Sequence, residues 1–331
     1  MIRLKIYWYL GHEEFQPEVL VEHAKLAESA GFDGVLVSEH FHPWVDDLGA
    51  GGFAFSTLGA IAAVTEKLDL MTAVTTPLWR FHPAVVAQAA ATIDRLSNGR
   101  FALGVGTGVN LNEGSLGYDF GSYKERAARM REAIRIMTEL LEGKKLDFDG
   151  TYYQTKAAKL YSPPLSHVPI YLAAGAPKSA AMAGEIADGV IASVKYEADT
   201  LSKVIEPALE AAKDAKRPRP AVVAMHWTIR GANDDEAIKA LRPWRGLRAP
   251  SKITAVDPAV LRGEADDMDP NDVLAQYEVV NTAEDYARAY GRVVTRLQPD
   301  VLGIQTTSSD QAQTIAMIGS RVLPELRKLS K

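Results

Sequence analysis

The sequence predicts an α/β protein, a (β/α)8 TIM barrel with insertions after the fourth and seventh strands. Three observations carry that expectation. Eight short apolar runs recur along the chain, and each is followed by a stretch with helical spacing. Glycine and proline separate these stretches, as chain breakers do at element ends. The polar residues with chemistry to offer gather where the apolar runs end. An eight-unit barrel places Glu39, His40, Ala73, Val74, Thr107, Gly108, Gly175 and Ser193 on one rim. An open doubly wound sheet is the competing arrangement and scatters them more.

The elements follow in order. Ile2 to Tyr9 alternates partly and reads as a strand. Pro17 opens a helix with Leu20, Leu26, Ala27 and Ala30 at helical intervals, and Gly31 closes it. The second strand begins at Val35. Ser56 is the expected cap of a helix carrying Leu58, Ile61 and Ala62. Leu68 to Val74 is the third strand, Pro83 to Leu96 a helix and Phe101 to Val105 the fourth strand. A glycine-rich loop follows, and residues 110–120 carry little helical pattern. Tyr123 to Leu141 is a long helix, and Asp149-Gly150 marks a hairpin. Pro169 to Ala173, Gly189 to Ser193, Ala221 to Ile229 and Val301 to Gln305 are the remaining strands. Helices are expected at Pro177 to Ile186, Asp199 to Ala215, Asn271 to Val279, Thr282 to Leu297 and Asp310 to Leu329, with Pro324 bending the last. Pro243 to Pro270 has weak periodicity and reads as a long insertion within a single domain spanning 1–331.

Composition narrows the function. With 47% hydrophobic residues the chain has ample material for a core. A net charge of −5 argues against general attraction to nucleic acid or an anionic membrane. The absence of cysteine excludes disulfides, thiolate catalysis and thiolate-bound metals. The N-terminal MIRLKIYWYL has no apolar stretch of signal-peptide type, and no run approaches the ~20 apolar residues of a membrane span. A cytoplasmic enzyme acting on a small molecule is the expectation.

The densest chemistry lies in Val35 to Trp44, VLVSEHFHPW, where a buried strand breaks into Glu39, His40, His42 and Trp44. His40-x-His42 would suit a metal pair, but the other histidines and the end of the eighth strand, Gln305-Thr306, do not supply a matching ligand set. The plainer readings are a hydrogen-bonded structural histidine and an indole that fills space. Gly104, Gly106 and Gly108 resemble a dinucleotide fingerprint, yet no helix pattern follows directly. A backbone platform for a flat ring or a phosphate suits them better, since glycine permits close approach.

Five segments occur in a telling order: SEHFHPW, AVTTP at Ala73 to Pro77, LGVGTG at Leu103 to Gly108 with Asn112-Glu113, YLAAG at Tyr171 to Gly175, and ADGVI at Ala187 to Ile191. Together they resemble the luciferase-like flavin monooxygenase superfamily, and within it the deazaflavin-dependent glucose-6-phosphate dehydrogenase subgroup, which uses coenzyme F420. The resemblance covers most of the chain and is weakest from Arg242 to Asp269. It implies a TIM barrel, a homodimer and a deazaflavin at the rim, with FMN as the alternative cofactor. It further implies cofactor contacts from Glu39, Ala73, Val74, Thr76, Thr107, Gly108, Asn112, Gly175 and Ala176, and a cis peptide between Ala73 and Val74. The residue matching His40 is the base on the substrate hydroxyl, and Trp44 matches the indole beside the reacting carbon. Ser193, Lys195 and Lys252 match the substrate-phosphate residues, the first lysine with a one-residue offset. No metal is implied.

Two positions depart from the pattern outright. The acid that follows TG in the subgroup is Val109 here, with Glu113 and Glu13 as candidate stand-ins. The phosphate-binding arginine aligns with Gln276, and Arg245 or Arg248 could supply charge from the insertion. Glutamine cannot make the bidentate contacts of a guanidinium.

Overall fold

The computed structural model describes residues 3–329. Ile2, the first residue of the expected first strand, lies outside that range.

The strands are β1 (Lys5–Leu10), β2 (Gly34–Val37), β3 (Asp69–Thr72), β4 (Phe101–Val105), β5 (Leu146–Asp149) and β6 (Gln154–Ala158). They continue as β7 (Ile170–Ala173), β8 (Gly189–Val194), β9 (Ala221–Arg230), β10 (Glu278–Val280) and β11 (Val301–Thr307). Eight of them pair in parallel in the order β1, β2, β3, β4, β7, β8, β9, β11, and β11 returns to β1. That ring is the expected (β/α)8 barrel. β10 adds to the far end of β9, where Thr228 to Arg230 outrun β8. β5 and β6 form an antiparallel hairpin outside it.

The helices are α1 (Pro17–Ser29), α2 (Ala54–Val64), α3 (Pro83–Leu96), α4 (Asn110–Glu113), α5 (Tyr123–Leu141), α6 (Pro177–Ile186) and α7 (Glu197–Thr200). After these come α8 (Glu206–Asp214), α9 (Asp234–Leu241), α10 (Pro258–Asp266), α11 (Pro270–Leu274), α12 (Ala283–Leu297), α13 (Gln311–Met317) and α14 (Leu323–Leu329). Proline at the first turn starts α1 and α3, where a missing N–H is harmless. Thr282 and Asp285 cap α12 reciprocally.

Several expectations need correction. Ser56 does not cap α2; Phe53 precedes the helix and Ser56 lies inside it. Residues 110–120 are not free of helix, because α4 and a 3-10 turn at Gly114–Leu116 follow the glycine loop. The helix expected to Val279 stops at Leu274, and the β-branched pair Val279-Val280 joins β10. The hairpin's second strand starts at Gln154, so Tyr153 belongs to its loop. The two long helices expected near Pro207 and Pro324 are each interrupted by a π-turn, at Leu201–Ile205 and Ile318–Val322. Proline lacks an N–H and its ring crowds the carbonyl four residues back, so a widened turn just before it accommodates both. The insertion also has structure: a 3-10 segment at Arg242–Arg248 and then α10.

Each barrel strand has two apolar faces, because side chains alternate. The outer face, including Ile6, Trp8, Val35, Leu103, Leu172 and Ile304, packs beneath the helices. The inner face holds Tyr7, Leu36, Met71, Ile191, Val223 and Val301. Above that plug, Tyr9, Ala73, Val74, Ala173 and Met225 are only partly covered and form the floor of the mouth. The opposite end of the barrel is closed by polar contacts: Tyr7 Oη donates to Asp69 at 2.6 Å, and Lys5 Nζ pairs with the same carboxylate.

Candidate active site

β2 ends at Val37, and the backbone leaves the sheet with Ser38 buried. Ser38 Oγ donates to the Glu13 carboxylate and accepts from the His12 amide at 2.8 Å. Glu13 is thereby fixed at the end of β1. Its other oxygen, Oε1, stands 3.6 Å from His40 Nε2. His40 Nδ1 lies 3.0 Å from the His42 carbonyl oxygen. A carbonyl only accepts, so Nδ1 carries the hydrogen, and Nε2 is the nitrogen left for chemistry. The Trp44 ring packs against the imidazole at 5.1 Å.

Beside this pair lies the floor. The Ala73–Val74 peptide is cis. A Cβ on Gly106 would sit 2.6 Å from Val74 Cγ2, so only glycine allows the loop after β4 to lie on this peptide. Gly108 has φ +76°, and a Cβ there would meet Thr76 at 3.0 Å. Asn112, in α4, accepts from the Phe41 and His42 amides at 2.9 and 3.2 Å. Its oxygen is thus engaged, and only its amide hydrogens remain for a ligand. Gly175 has open space where a side chain would be, and Ala176 precedes α6. Thr107 is half-buried at the rim.

Glu39 is placed differently from its neighbours. It is buried beneath the floor, where Arg80 donates to both its oxygens at 2.8 and 2.7 Å and Thr75 adds a third bond at 2.9 Å. Arg80 also pairs with Glu113 at 3.2 Å. Burial raises the Glu113 carboxyl above its ordinary range despite Arg80. Glu113 is fully buried and bonded to Arg80, away from the position of the acid missing at Val109. Glu13 does lie at the mouth. Val109 itself packs in an apolar cluster with Trp44, Leu111 and Trp244.

On the far side of the mouth, Ser193 and Lys195 continue the inward row that begins with Ile191 on β8. Lys252 follows the 3-10 segment of the insertion. Of the two arginines considered there, Arg245 is held by Asp47 and Asp266 at 2.8 and 2.7 Å. Arg248 instead stacks on the Tyr277 ring at 4.4 Å. Gln276, in the turn after α11, donates to the Asp272 carbonyl. His42 turns away from His40 toward the Val256 carbonyl, so the two imidazoles do not converge. Among the described residues no three His, Asp or Glu side chains come together as metal ligands would.

The sequence reading missed Arg80, Ser38 and Trp227. Arg80 follows the third strand and could have been found by asking what neutralises Glu39. Trp227 shares the inward parity of Val223 and Met225, a signal present in the sequence.

Residues 7–297 match the family model described as luciferase-like monooxygenase. The chain belongs to that family. Among the family's characterised members, it is 38% identical over the full length of both chains to the F420-dependent glucose-6-phosphate dehydrogenase of Mycolicibacterium smegmatis. The enzyme of the same description from Microbacterium testaceum is 35% identical, with 99% of this chain and 98% of that one covered. In structure, an F420-dependent secondary alcohol dehydrogenase solved with an F420-acetone adduct superposes with a TM-score of 0.90, at 28% identity and over 98% of this chain and 99% of that one.

Proposed function

We propose that the protein is a coenzyme F420-dependent oxidoreductase acting at a CH–OH centre, with His40 as the base. One observation carries the reading: an imidazole Nε2, backed by Glu13 and flanked by Trp44, at a mouth floored by small residues and a cis peptide. The floor fits a flat tricyclic ring, since Ala73, Ala173, Gly106 and Gly175 present no side chain large enough to obstruct it. Ala73, Val74, Thr76, Thr107, Gly108, Asn112, Gly175 and Ala176 would hold the coenzyme. Glu39 supports it from beneath, through Thr75 and Arg80. When bound, the coenzyme supplies the hydride acceptor that no side chain can provide.

The protein's own part is proton transfer and orientation. His40 Nε2 takes the hydroxyl proton as the carbinol hydrogen leaves with its electron pair. The imidazolium so formed is stabilised by Glu13. Trp44 keeps water from the reacting carbon and offers its ring face to transient positive charge. Ser193, Lys195 and Lys252 bind the rest of the substrate.

A homodimer belongs to the same proposal. The outward face of α2 carries Ser56, Ala60, Ala63 and Val64 without one charge, and neighbouring α3 exposes Val85 and Leu96. A helix that shows solvent no charged residue is suited to a partner. A cytoplasmic location is proposed with it. Among the described residues no helix is long and apolar enough to cross a membrane.

Titration of the purified protein with oxidised F420, followed by absorbance and fluorescence, tests the reading. Saturable binding and turnover of an alcohol are expected. Absence of binding overturns it.

A further inference from the structure

Two enzymes similar to this one are described as acting on different alcohols, glucose 6-phosphate in one case and a secondary alcohol in the other. The mouth of this barrel has features of its own that select between them. The wall that continues from Trp44 is apolar. Trp227 stands above Met225 on the inward row of β9, and its Nε1 donates to Thr307 at 3.0 Å, so the indole offers a substrate only its ring. Trp244 packs edge-on against it at 4.8 Å and Tyr277 at 5.2 Å. Val109 and Trp44 belong to the same apolar cluster. The carboxylates nearby are already engaged: Glu13 by Ser38 and His40, Glu39 and Glu113 by Arg80, Glu14 by Trp244. A hexose has a hydroxyl on nearly every carbon, and each one buried without a partner costs about 1–3 kcal/mol. This wall supplies ring faces and methyl groups.

The wall ends in positive charge. Arg248 lies over Tyr277, the ring next to Trp227. Lys252 is one turn further along the insertion, tied to the Ala249 carbonyl by its backbone amide at 3.2 Å. Lys195 comes up from β8 across the mouth. None of the three forms an ion pair with a carboxylate among the described residues, although the chain carries more acids than bases. Burial, and then the charges of Arg248 and Lys195, hold the Lys252 ammonium below its ordinary range.

We propose that the substrate is an alcohol with an apolar or aromatic body and an oxyanion at its far end, the body lying on Trp227 and the oxyanion on Lys195, Arg248 and Lys252. The proposal rests on the oxidoreductase reading and names its substrate class. Arg248 takes the place left by Gln276, from a different element and with the fork geometry that an oxyanion prefers.

The test uses F420-loaded protein and three alcohols: 1-phenylethanol, its carboxylate analogue 4-(1-hydroxyethyl)benzoate, and glucose 6-phosphate. The carboxylate is expected to exceed the neutral alcohol by about tenfold or more in kcat/KM, the worth of one charge-assisted contact. That advantage should shrink at high salt and vanish in Arg248→Gln, while glucose 6-phosphate trails both. Fluorescence titration of F420 runs alongside, and its affinity should be the same in Arg248→Gln. Equal turnover of the neutral and charged alcohols, preference for glucose 6-phosphate, or weakened F420 binding in Arg248→Gln would each overturn the proposal while leaving the oxidoreductase reading in place. Failure of the native protein to bind F420 removes both.

Discussion

Glu13 and Glu14 are neighbours in sequence and opposites in circumstance. Glu13 faces His40 across the mouth and is held by Ser38. Glu13→Gln removes the charge that stabilises the imidazolium. It should lower kcat by about 10²-fold with F420 affinity unchanged, as read by steady-state kinetics beside a fluorescence titration. His40→Ala should cost at least as much, again without loss of F420 binding; normal turnover in that variant would reassign the base. Glu14 lies partly buried under the insertion, accepting from Trp244 Nε1 at 2.6 Å. Burial raises its carboxyl from 4.5 to about 8, against the pull of the Trp244 bond. Ionisation is therefore harder in the fold than in the unfolded chain. Its contribution to stability is complete below about pH 4.5 and is lost as pH rises through 8. Glu14→Gln keeps the acceptor for Trp244 and removes the titration. Denaturant melts should find the variant more stable at pH 7, by on the order of 3 kcal/mol, with a flatter pH profile. Nearby His23 is held below its ordinary range by burial. At this scale His40, Trp44 and the Ala73–Val74 pair could be read from the chain, because their motifs are contiguous. The Glu39–Arg80–Glu113 cluster could not: its members are 41 and 33 residues apart and meet only when the barrel closes.

The insertion is the element that most departs from its sequence reading. Proline and mixed charge hide its helices, since periodicity needs longer runs than seven or nine residues provide. It is nonetheless firmly seated. A Cβ on Gly11 would strike Trp244 at 2.8 Å, and one on Gly246 would collide with the Trp44 carbonyl. Arg245 and Arg262 reach across to Asp47 and Asp46 in the loop that follows Trp44. Gly246→Ala should therefore lift the segment from the mouth. The expected result is faster proteolysis within 242–270 and a raised KM for substrate, with the barrel's far-UV circular dichroism unchanged. The barrel elements, by contrast, were legible because apolar strands, proline starts and glycine stops all agree there. The breaks at Pro207 and Pro324 show the limit of that legibility: a proline announces a disturbance, and only the surrounding packing decides between a bend and a widened turn.

Over the whole molecule, the ring of eight strands sets which loops share a rim, and that is why residues as far apart as His42 and Val256 meet. The same closure sends α2 and α3 to the outside, α2 with an uncharged face. Leu96→Glu and Val64→Glu together should convert the proposed dimer to a monomer in analytical ultracentrifugation while leaving the melting curve of the fold intact. An unchanged sedimentation coefficient would place the interface elsewhere. One contact has a larger reach. Through a single amide oxygen, Asn112 takes up hydrogens from Phe41 and His42. The segment bearing the proposed base and the segment proposed to hold the coenzyme are thus one mechanical part. Grafting either alone into a sister barrel would orphan two peptide groups, so new specificities on this scaffold have to be inherited as matched pairs of loops.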